Sequence, residues 1–153
     1  MPKFLTRIIS TFCYVGYFPL IPGTAGSLVG LGIYFLLKNN LLSYILVLLV
    51  LLVLGFWAST EAEKAFNKKD PSRVVIDEVC GMLLSLLFVP YDIKLVIIGF
   101  FIFRLLDTLK PFPVGRLERI PGGLGIMLDD IAAGIYTNLV LQAVVIFSSF
   151  KVL

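Results

Sequence analysis

The sequence predicts an all-α fold, a polytopic integral membrane helical bundle of about four to five membrane helices with cytoplasm-facing polar loops. Three observations lead to this prediction. Hydrophobic residues make up 59% of the 153 residues and charged residues only 15%, whereas an ordinary soluble domain carries about 25% charge. The mean hydropathy is +1.00. Apolar stretches alternate with short polar segments along the chain, and residues 1–153 are predicted to form a single domain.

The first two apolar segments are predicted to form a helical hairpin. Residues 25–37 are apolar and rich in glycine, which would allow close contact with another helix. Residues 41–59 carry no charge and approach the roughly 20 apolar residues that a membrane helix needs. Because only residues 38–40 separate the two segments, we expect a tight turn there.

Two shorter apolar segments follow, and each has a polar end. Residues 79–90 begin directly after Asp77 and Glu78, and residues 95–106 are apolar up to a single arginine. We expect helices that are packed against their neighbours or cross the membrane with one polar end. A second tight hairpin is predicted at residues 91–93.

The last apolar segment, residues 131–150, is uncharged and long enough to span a bilayer. Asn138 and Gln142 lie four residues apart in it, so a helix would place both on one face, in contact with another helix. The two cysteines, Cys13 and Cys80, lie in apolar sequence without metal-site spacing, and both are predicted to be small buried residues.

The distribution of charge predicts an orientation. With the N-terminus in the cytoplasm and five spans, ten of the 13 basic residues lie on the cytoplasmic side, as the positive-inside rule requires. Nine of the ten acidic residues lie there too, and Asp92 is the exception. Because the rule does not demand this second bias, it predicts a cytoplasm-facing site that collects acids. The net charge of +3 is too small to indicate binding of nucleic acid.

Two carboxylate pairs interrupt the sequence at predicted membrane boundaries: Asp77 with Glu78, and Asp129 with Asp130. An ionised carboxylate at such a boundary is costly unless it pairs or binds a cation. The chain has no histidine, and oxygen-only clusters suit Mg²⁺, Mn²⁺ or Ca²⁺. The structural alternatives are a helix-dipole interaction for the first pair and helix N-capping for the second.

Two further motifs could bind phosphate. Arg104, Asp107 and Lys110 are spaced by three, which predicts one polar stripe on a helix that Pro111 would end. In the functional interpretation, Asp107 contacts a metal while the two basic residues hold a phosphate. The alternative is a set of ion pairs at a helix end.

A Pro/Gly-rich loop precedes residues 25–37 and leads into the first apolar helix. Thr24 is a candidate N-cap there, Ser27 lies three residues further on, and free backbone N–H groups could bind phosphate. The alternative is a plain loop and helix cap.

Together these motifs resemble the phosphatidylglycerophosphatase A family. The matching stretches span most of the chain in the expected order: FPLIPGTAGS at residues 18–27, VIDEVCG at 75–81, FRLLDTLKPFP at 103–113 and GGLGIMLDDIAAG at 122–134. The resemblance implies a Mg²⁺-dependent lipid phosphatase of the bacterial inner membrane. Its reaction would convert phosphatidylglycerophosphate to phosphatidylglycerol and phosphate, the last step of phosphatidylglycerol synthesis.

The chemistry of the residues leads to a concrete expectation for this site. One or two Mg²⁺ ions, which would lower the pKa of a bound water, are expected among five carboxylates: Asp77, Glu78, Asp107, Asp129 and Asp130. The phosphate is expected to contact four residues: Thr24, Ser27, Arg104 and Lys110. One carboxylate could act as the general base. A covalent aspartyl phosphate is an alternative, but the chain contains no Asp-x-Asp motif, which favours direct attack by water.

The expected partners are the phospholipid substrate and the bilayer, and a homo-oligomer is compatible with the sequence. Three other functions are alternatives. Carboxylates near membrane depth also occur in small ion transporters and channels. Glycine-rich spans suit a non-catalytic assembly subunit. A lipid phosphotransferase that uses a nucleotide-linked lipid would need an Asp-Gly and Ala-Arg pattern that the sequence lacks.

Overall fold

The computed structural model describes residues 3–66, 71–112 and 114–150, and the described residues form helices joined by short loops. A 3-10 turn at Val15–Tyr17 accompanies the α-helices, which are α1 Lys3–Ser10, α2 Pro22–Leu37, α3 Leu41–Phe66, α4 Ile76–Leu86, α5 Ile93–Leu109, α6 Val114–Leu117 and α7 Gly123–Phe150. No strand occurs in these ranges. The predicted all-α fold is confirmed.

Helix α4 lies at the centre of the bundle. It packs against α2, α3, α5 and α7, and nine of its 11 residues are buried. A helix surrounded on all sides needs apolar residues around its whole circumference, and Val79, Met82, Leu83 and Leu86 supply them. Because Asp77 lies in the first turn of this helix, its carboxylate is carried into the protein interior.

Two helices in the described residues are long and apolar enough to cross a membrane, over Leu41–Ala65 and Gly123–Ser148. Helix α4 has only 11 residues, which at 1.5 Å per residue is about half of a hydrocarbon core roughly 30 Å thick. Leu42, Val53 and Phe147 on the two long helices are between 69% and 70% exposed, as expected of side chains that face lipid. The number of four to five spans stays a prediction.

Glycines set the distance between α4 and its neighbours. A Cβ on Gly26 or Gly30 of α2 would overlap side-chain or backbone atoms of α4, whereas Gly32 faces open space. On the other side of α4, a Cβ on Gly134 would overlap the backbone of Gly81. The backbones of α4 and α7 therefore touch at Gly81 and Gly134, one turn beyond the two acidic pairs.

The side chains of Asn138 and Gln142 bind the C-terminal end of α4. Asn138 donates to the carbonyls of Leu84, Ser85 and Leu87 at 2.7 to 3.2 Å, and Gln142 donates to the carbonyl that follows them at 3.1 Å. The helix ends there, so its last carbonyls lack the usual amide donors four residues on, and the Leu84 carbonyl also accepts from the Leu87 amide at 3.3 Å. The predicted contact with another helix is confirmed for Asn138, whereas Gln142 binds Phe88 in the connection that follows α4.

The first predicted hairpin is confirmed and the second is wrong. Helix α2 ends three residues before Asn40 begins to cap α3 by accepting a bond from the Ser43 amide at 3.0 Å. Helix α4, however, ends at Leu86, so the next connection covers residues 87–92 rather than 91–93. Phe88 adopts a positive φ of 60° there and Pro90 follows, which prevents the helix from continuing.

The predicted burial of the cysteines is correct for Cys80 and wrong for Cys13. Cys80 lies in the core of α4 and is fully buried. Cys13 follows α1 in a turn where it and its two neighbours have positive φ values of 45° to 70°. This left-handed turn carries the Cys13 side chain to the surface.

Candidate active site

A polar cavity of about 230 Å³ lies where α2, α4, α5 and α7 meet. Its lining is Pro22, Gly23, Ser72, Val74, Asp77, Glu78, Arg104, Asp107, Lys110, Asp129 and Asp130. All five carboxylates predicted from the sequence line it, together with both predicted basic residues. The polar ends of α3 and α7 lie at this same end of the bundle, where the Gly123 amide donates to Thr60 Oγ1 at 3.1 Å.

Three of the carboxylates form a cluster. Oxygen atoms of Asp77, Glu78 and Asp130 all lie within 4.8 Å of one another, and the two aspartates are 5% and 3% exposed. Glu78 Oε2 and Asp130 Oδ1 are buried and receive no hydrogen bond from the described residues. Buried carboxylate oxygens without donors are costly, and a hard divalent cation is a ligand that would satisfy them.

The surroundings of Glu78 show how strongly this cluster resists negative charge. Burial raises the pKa of Glu78, the nearby Asp107 carboxylate raises it too, and the resulting value is about 7. A hydrogen bond with Asp77 and the charge of Arg104 oppose the shift only in part. The side chains around the cluster therefore supply too little positive charge to balance its three carboxylates.

The other two carboxylates are held by the basic residues. Arg104 Nη1 donates to Asp107 Oδ2 at 2.6 Å, and Lys110 Nζ donates to Asp129 Oδ2 at 2.8 Å. The five predicted metal ligands are therefore divided into a cluster of three and two ion-paired acids. Whether each acts in metal binding or catalysis stays a prediction.

Lys110 does not lie on the helical stripe that its spacing from Arg104 and Asp107 predicts. Helix α5 ends at Leu109, as the following Pro111 predicts, and Lys110 caps it with a positive φ of 45°. The turn directs its ammonium group toward α7 and Glu118, whose Oε1 lies 3.2 Å away. Burial alone would lower the pKa of Lys110, but hydrogen bonds and charges from Asp129 and Glu118 raise it above its ordinary value. Glu118 was missed because nothing in its local sequence indicates this distant contact.

The predictions for Thr24 and Ser27 have different outcomes in the structure. Helix α2 begins at Pro22 with Ile21 before it, so the N-cap prediction for Thr24 is wrong, and Thr24 does not line the cavity. Ser27 is buried, its hydroxyl donates to the Gly23 carbonyl at 3.0 Å, and it lies 3.5 Å from Arg104 Nη1. Ser27 therefore contacts Arg104 only at the limit of hydrogen-bond distance, and it does not line the cavity.

Two other expectations for this region are corrected or extended. Asp129 and Asp130 cannot be N-caps because α7 already begins at Gly123. Gly23 was not singled out, yet a Cβ there would overlap the Glu78 carboxylate and crowd the Arg104 guanidinium. Its lack of a side chain lets these two charged groups approach the start of α2.

Comparisons with known proteins show which family this chain resembles. A family model described as phosphatidylglycerophosphatase A matches residues 8–145. An Escherichia coli phosphatidylglycerophosphatase A is 37% identical over 78% of this chain and 72% of its own length. The Haemophilus influenzae protein of the same name is 32% identical over 80% and 78%.

A Bacteroides thetaiotaomicron protein provisionally named phosphatidylinositol-3-phosphatase is 39% identical over 89% of this chain and 91% of its own length. No solved structure matches the chain. The family match covers most of the sequence, and it includes the elements that supply the carboxylate cluster and both basic residues. The chain belongs to the phosphatidylglycerophosphatase A family and is a phosphatase.

Proposed function

We propose that this chain is a Mg²⁺-dependent lipid phosphatase that hydrolyses phosphatidylglycerophosphate to phosphatidylglycerol and phosphate, the last step of phosphatidylglycerol synthesis. One observation carries the proposal: the buried cluster of Asp77, Glu78 and Asp130 shares a single cavity with Arg104 and Lys110. A cation site beside two fixed positive charges matches the needs of a phosphoryl group, which carries charge on several oxygens.

The three clustered carboxylates fit a divalent cation. They offer only oxygen ligands, which Mg²⁺ prefers, and two of their buried oxygens receive no hydrogen bond from the described residues. When bound, Mg²⁺ would neutralise charge on the phosphate and make a bound water more acidic. Asp77, Glu78 and Asp130 are the residues that would hold it.

Arg104 and Lys110 would bind the phosphate oxygens. Each now contacts a carboxylate, Asp107 and Asp129 respectively, which keeps both cations in place before the substrate enters. Water attacks phosphorus and gives up a proton, the bond from phosphorus to the glycerol oxygen breaks, and that proton passes to the departing oxygen, which leaves as the alcohol. Either ion-paired aspartate is placed to accept the proton of the attacking water.

We place the protein in the bacterial inner membrane as a multi-pass protein with this cavity on the cytoplasmic side. The two long apolar helices and the bias of basic residues toward the end that holds the cavity support this orientation. At the opposite end, Lys38 Nζ lies 3.2 Å from the centre of the Tyr91 ring. The acids are concentrated at one end instead of following a path through the bundle, which favours hydrolysis over ion transport.

Phosphate release from defined lipids tests the proposal. Detergent-purified protein is given phosphatidylglycerophosphate with Mg²⁺ and, separately, with EDTA; phosphatidylinositol 3-phosphate serves as the competing substrate. We expect release that requires Mg²⁺ and a higher kcat/KM for phosphatidylglycerophosphate. Faster hydrolysis of phosphatidylinositol 3-phosphate would identify that lipid as the preferred substrate. Equal rates with Mg²⁺ and with EDTA would contradict the proposed role of the metal.

Two variants locate the reaction in the cavity. Asp77→Asn should abolish release, because it removes a charge from the carboxylate cluster. Glu61→Gln is the matched control, since Glu61 contacts only the exposed Lys64 among the described residues and lies outside the cavity lining. Equal activity of both variants would place the chemistry elsewhere.

A further inference from the structure

We infer that a second groove, next to the catalytic cavity, binds the phosphodiester of the phospholipid substrate, and that Arg73 is the residue that contacts it. This inference rests on the proposed function, because it assumes a substrate with both a terminal phosphomonoester and an internal phosphodiester. The groove has a volume of about 390 Å³ and shares Pro22 and Ser72 with the catalytic cavity. The two spaces are therefore adjacent, and in our inference one substrate molecule occupies both.

The charge of Arg73 is available to a ligand. Its side chain is exposed, and its guanidinium carbon lies 4.9 Å from the centre of the Tyr17 ring. It forms no ion pair with a carboxylate in the described part of the chain, unlike Arg104 and Lys110. Stacking on an aromatic ring orients a guanidinium group while leaving its N–H donors free.

The fold holds Arg73 in this position. A Cβ on Gly16 would overlap the Arg73 carbonyl, so the turn after α1 packs directly against the Arg73 backbone. Two residues later, the Val75 amide donates to the Ser10 carbonyl at 2.9 Å. These contacts fix the segment before α4 against the N-terminal part of the chain, and they place Arg73 beside Tyr17.

The residues that line the two spaces correspond in their chemistry to the two parts of the lipid. Phe18 and Leu20 on the groove are 54% and 98% exposed, which makes this rim strongly apolar. Arg73 lies in the same groove, Ser72 lies at the junction, and Arg104 lies in the catalytic cavity. In the substrate, acyl chains are followed by the phosphodiester, the glycerol and the terminal phosphomonoester.

This arrangement assigns different tasks to the basic residues of the two spaces. Arg104 and Lys110 bind the phosphate that is released, whereas Arg73 binds the phosphate that remains in the product. A guanidinium group suits the second task because it can donate two parallel hydrogen bonds to a phosphodiester. Arg73 would thus determine which lipids bind, with little influence on the chemical step.

Inhibition kinetics separate these tasks. Phosphatidylglycerophosphate is presented in uncharged detergent micelles, so that no other anionic lipid competes, and phosphate release is measured for wild type and Arg73→Gln. Phosphatidylglycerol is one inhibitor, since it retains the diester and lacks the monoester. Inorganic phosphate is the second inhibitor, since it is the product of the catalytic cavity and lacks the diester, glycerol and acyl groups.

For Arg73→Gln we expect KM and the inhibition constant of phosphatidylglycerol to rise about tenfold, the effect of one charge-assisted contact. The value of kcat and the inhibition constant of inorganic phosphate should stay within about twofold of wild type. Arg116→Gln is the matched control, because Arg116 is also exposed and stacks on Phe112 at 4.8 Å, outside both spaces. It should change none of these constants.

Three results would overturn the inference: unchanged constants in Arg73→Gln, equal shifts in Arg116→Gln, or an equal loss of inhibition by inorganic phosphate. Arg73→Lys keeps the charge and should recover part of the affinity; it makes the same comparison if the Gln variant lacks a cooperative thermal transition. A wild type that releases no phosphate from this lipid refutes the proposed function itself, a result distinct from the three above.

Discussion

The polar groups at the two ends of helix α4 differ in whether they have hydrogen-bond partners. At the C-terminal end, Asn138 and Gln142 donate to carbonyls that the helix leaves open, and Tyr44 Oη donates to the Leu83 carbonyl at 2.6 Å. At the N-terminal end, buried oxygens of Glu78 and Asp130 receive no donor from the described residues. Buried polar groups are normally satisfied, so the unsatisfied oxygens at the N-terminal end support the cation site that we propose there.

The largest expected effect is on activity at the unsatisfied end. Asp130→Asn keeps the shape of the side chain but removes one of three clustered charges. We expect the rate of phosphate release to fall at least about a thousandfold, roughly 4 kcal/mol in activation free energy. The midpoint of thermal unfolding should not fall, because the variant no longer buries this negative charge. Near-normal phosphate release by this variant would contradict the difference between the two ends of α4.

Removal of a phosphate-binding charge should have the next largest effect. Lys110→Met should lower kcat by about a hundredfold, the magnitude found when one preorganised charge-stabilising donor is lost. Initial rates at saturating Mg²⁺ and lipid measure it. A change in stability without a change in kcat would mean that Lys110 only joins α5 to α7.

A substitution at the satisfied end should lower stability and spare the rate. Asn138→Leu removes the donor to three carbonyls, and an unsatisfied buried group costs about 1–3 kcal/mol. Thermal unfolding in detergent should show a lower midpoint, while kcat measured well below that midpoint stays within about twofold of wild type. A selective loss of kcat would contradict the division between the two ends.

The smallest effect is expected at the rim of the site. Glu118→Gln weakens one contact to Lys110, but Asp129 still holds that ammonium group at the shorter distance of 2.8 Å. Because the Glu118 side chain is 39% exposed, we expect a loss below about 1 kcal/mol in stability and at most a few-fold change in rate. A loss as large as that of Lys110→Met would show that Glu118 has a larger role.

The fold class could be predicted from the sequence because apolar segments dominate it. The presence of α3 and α7 follows from the uncharged runs at residues 41–59 and 131–150, although α3 continues to Phe66 and α7 already begins at Gly123. The end of α4 could not be predicted in this way: Leu87 and Phe88 continue the apolar pattern, yet the backbone turns at Phe88. Hydropathy along the sequence indicates which segments are buried, but it does not indicate at which residue a helix ends.

The members of the candidate site were predictable, whereas their grouping was not. The acids stand out because carboxylates rarely interrupt apolar sequence. Only the contact between α4 and α7, at Gly81 and Gly134, decides that Asp130 joins Asp77 while Asp129 turns to Lys110. Adjacent residues on a helix diverge by about 100°, so one pair can supply two different partners.

Metal binding by three proteins tests the central claim most directly. Detergent-purified wild type, Asp130→Asn and Asn138→Leu are titrated with Mn²⁺ by calorimetry, without lipid. We predict binding to wild type and Asn138→Leu with equal affinity, and at least about tenfold weaker binding to Asp130→Asn, which loses one anionic oxygen ligand. Equal affinity in all three proteins, or no binding to wild type, would contradict a cation site at the N-terminal end of α4.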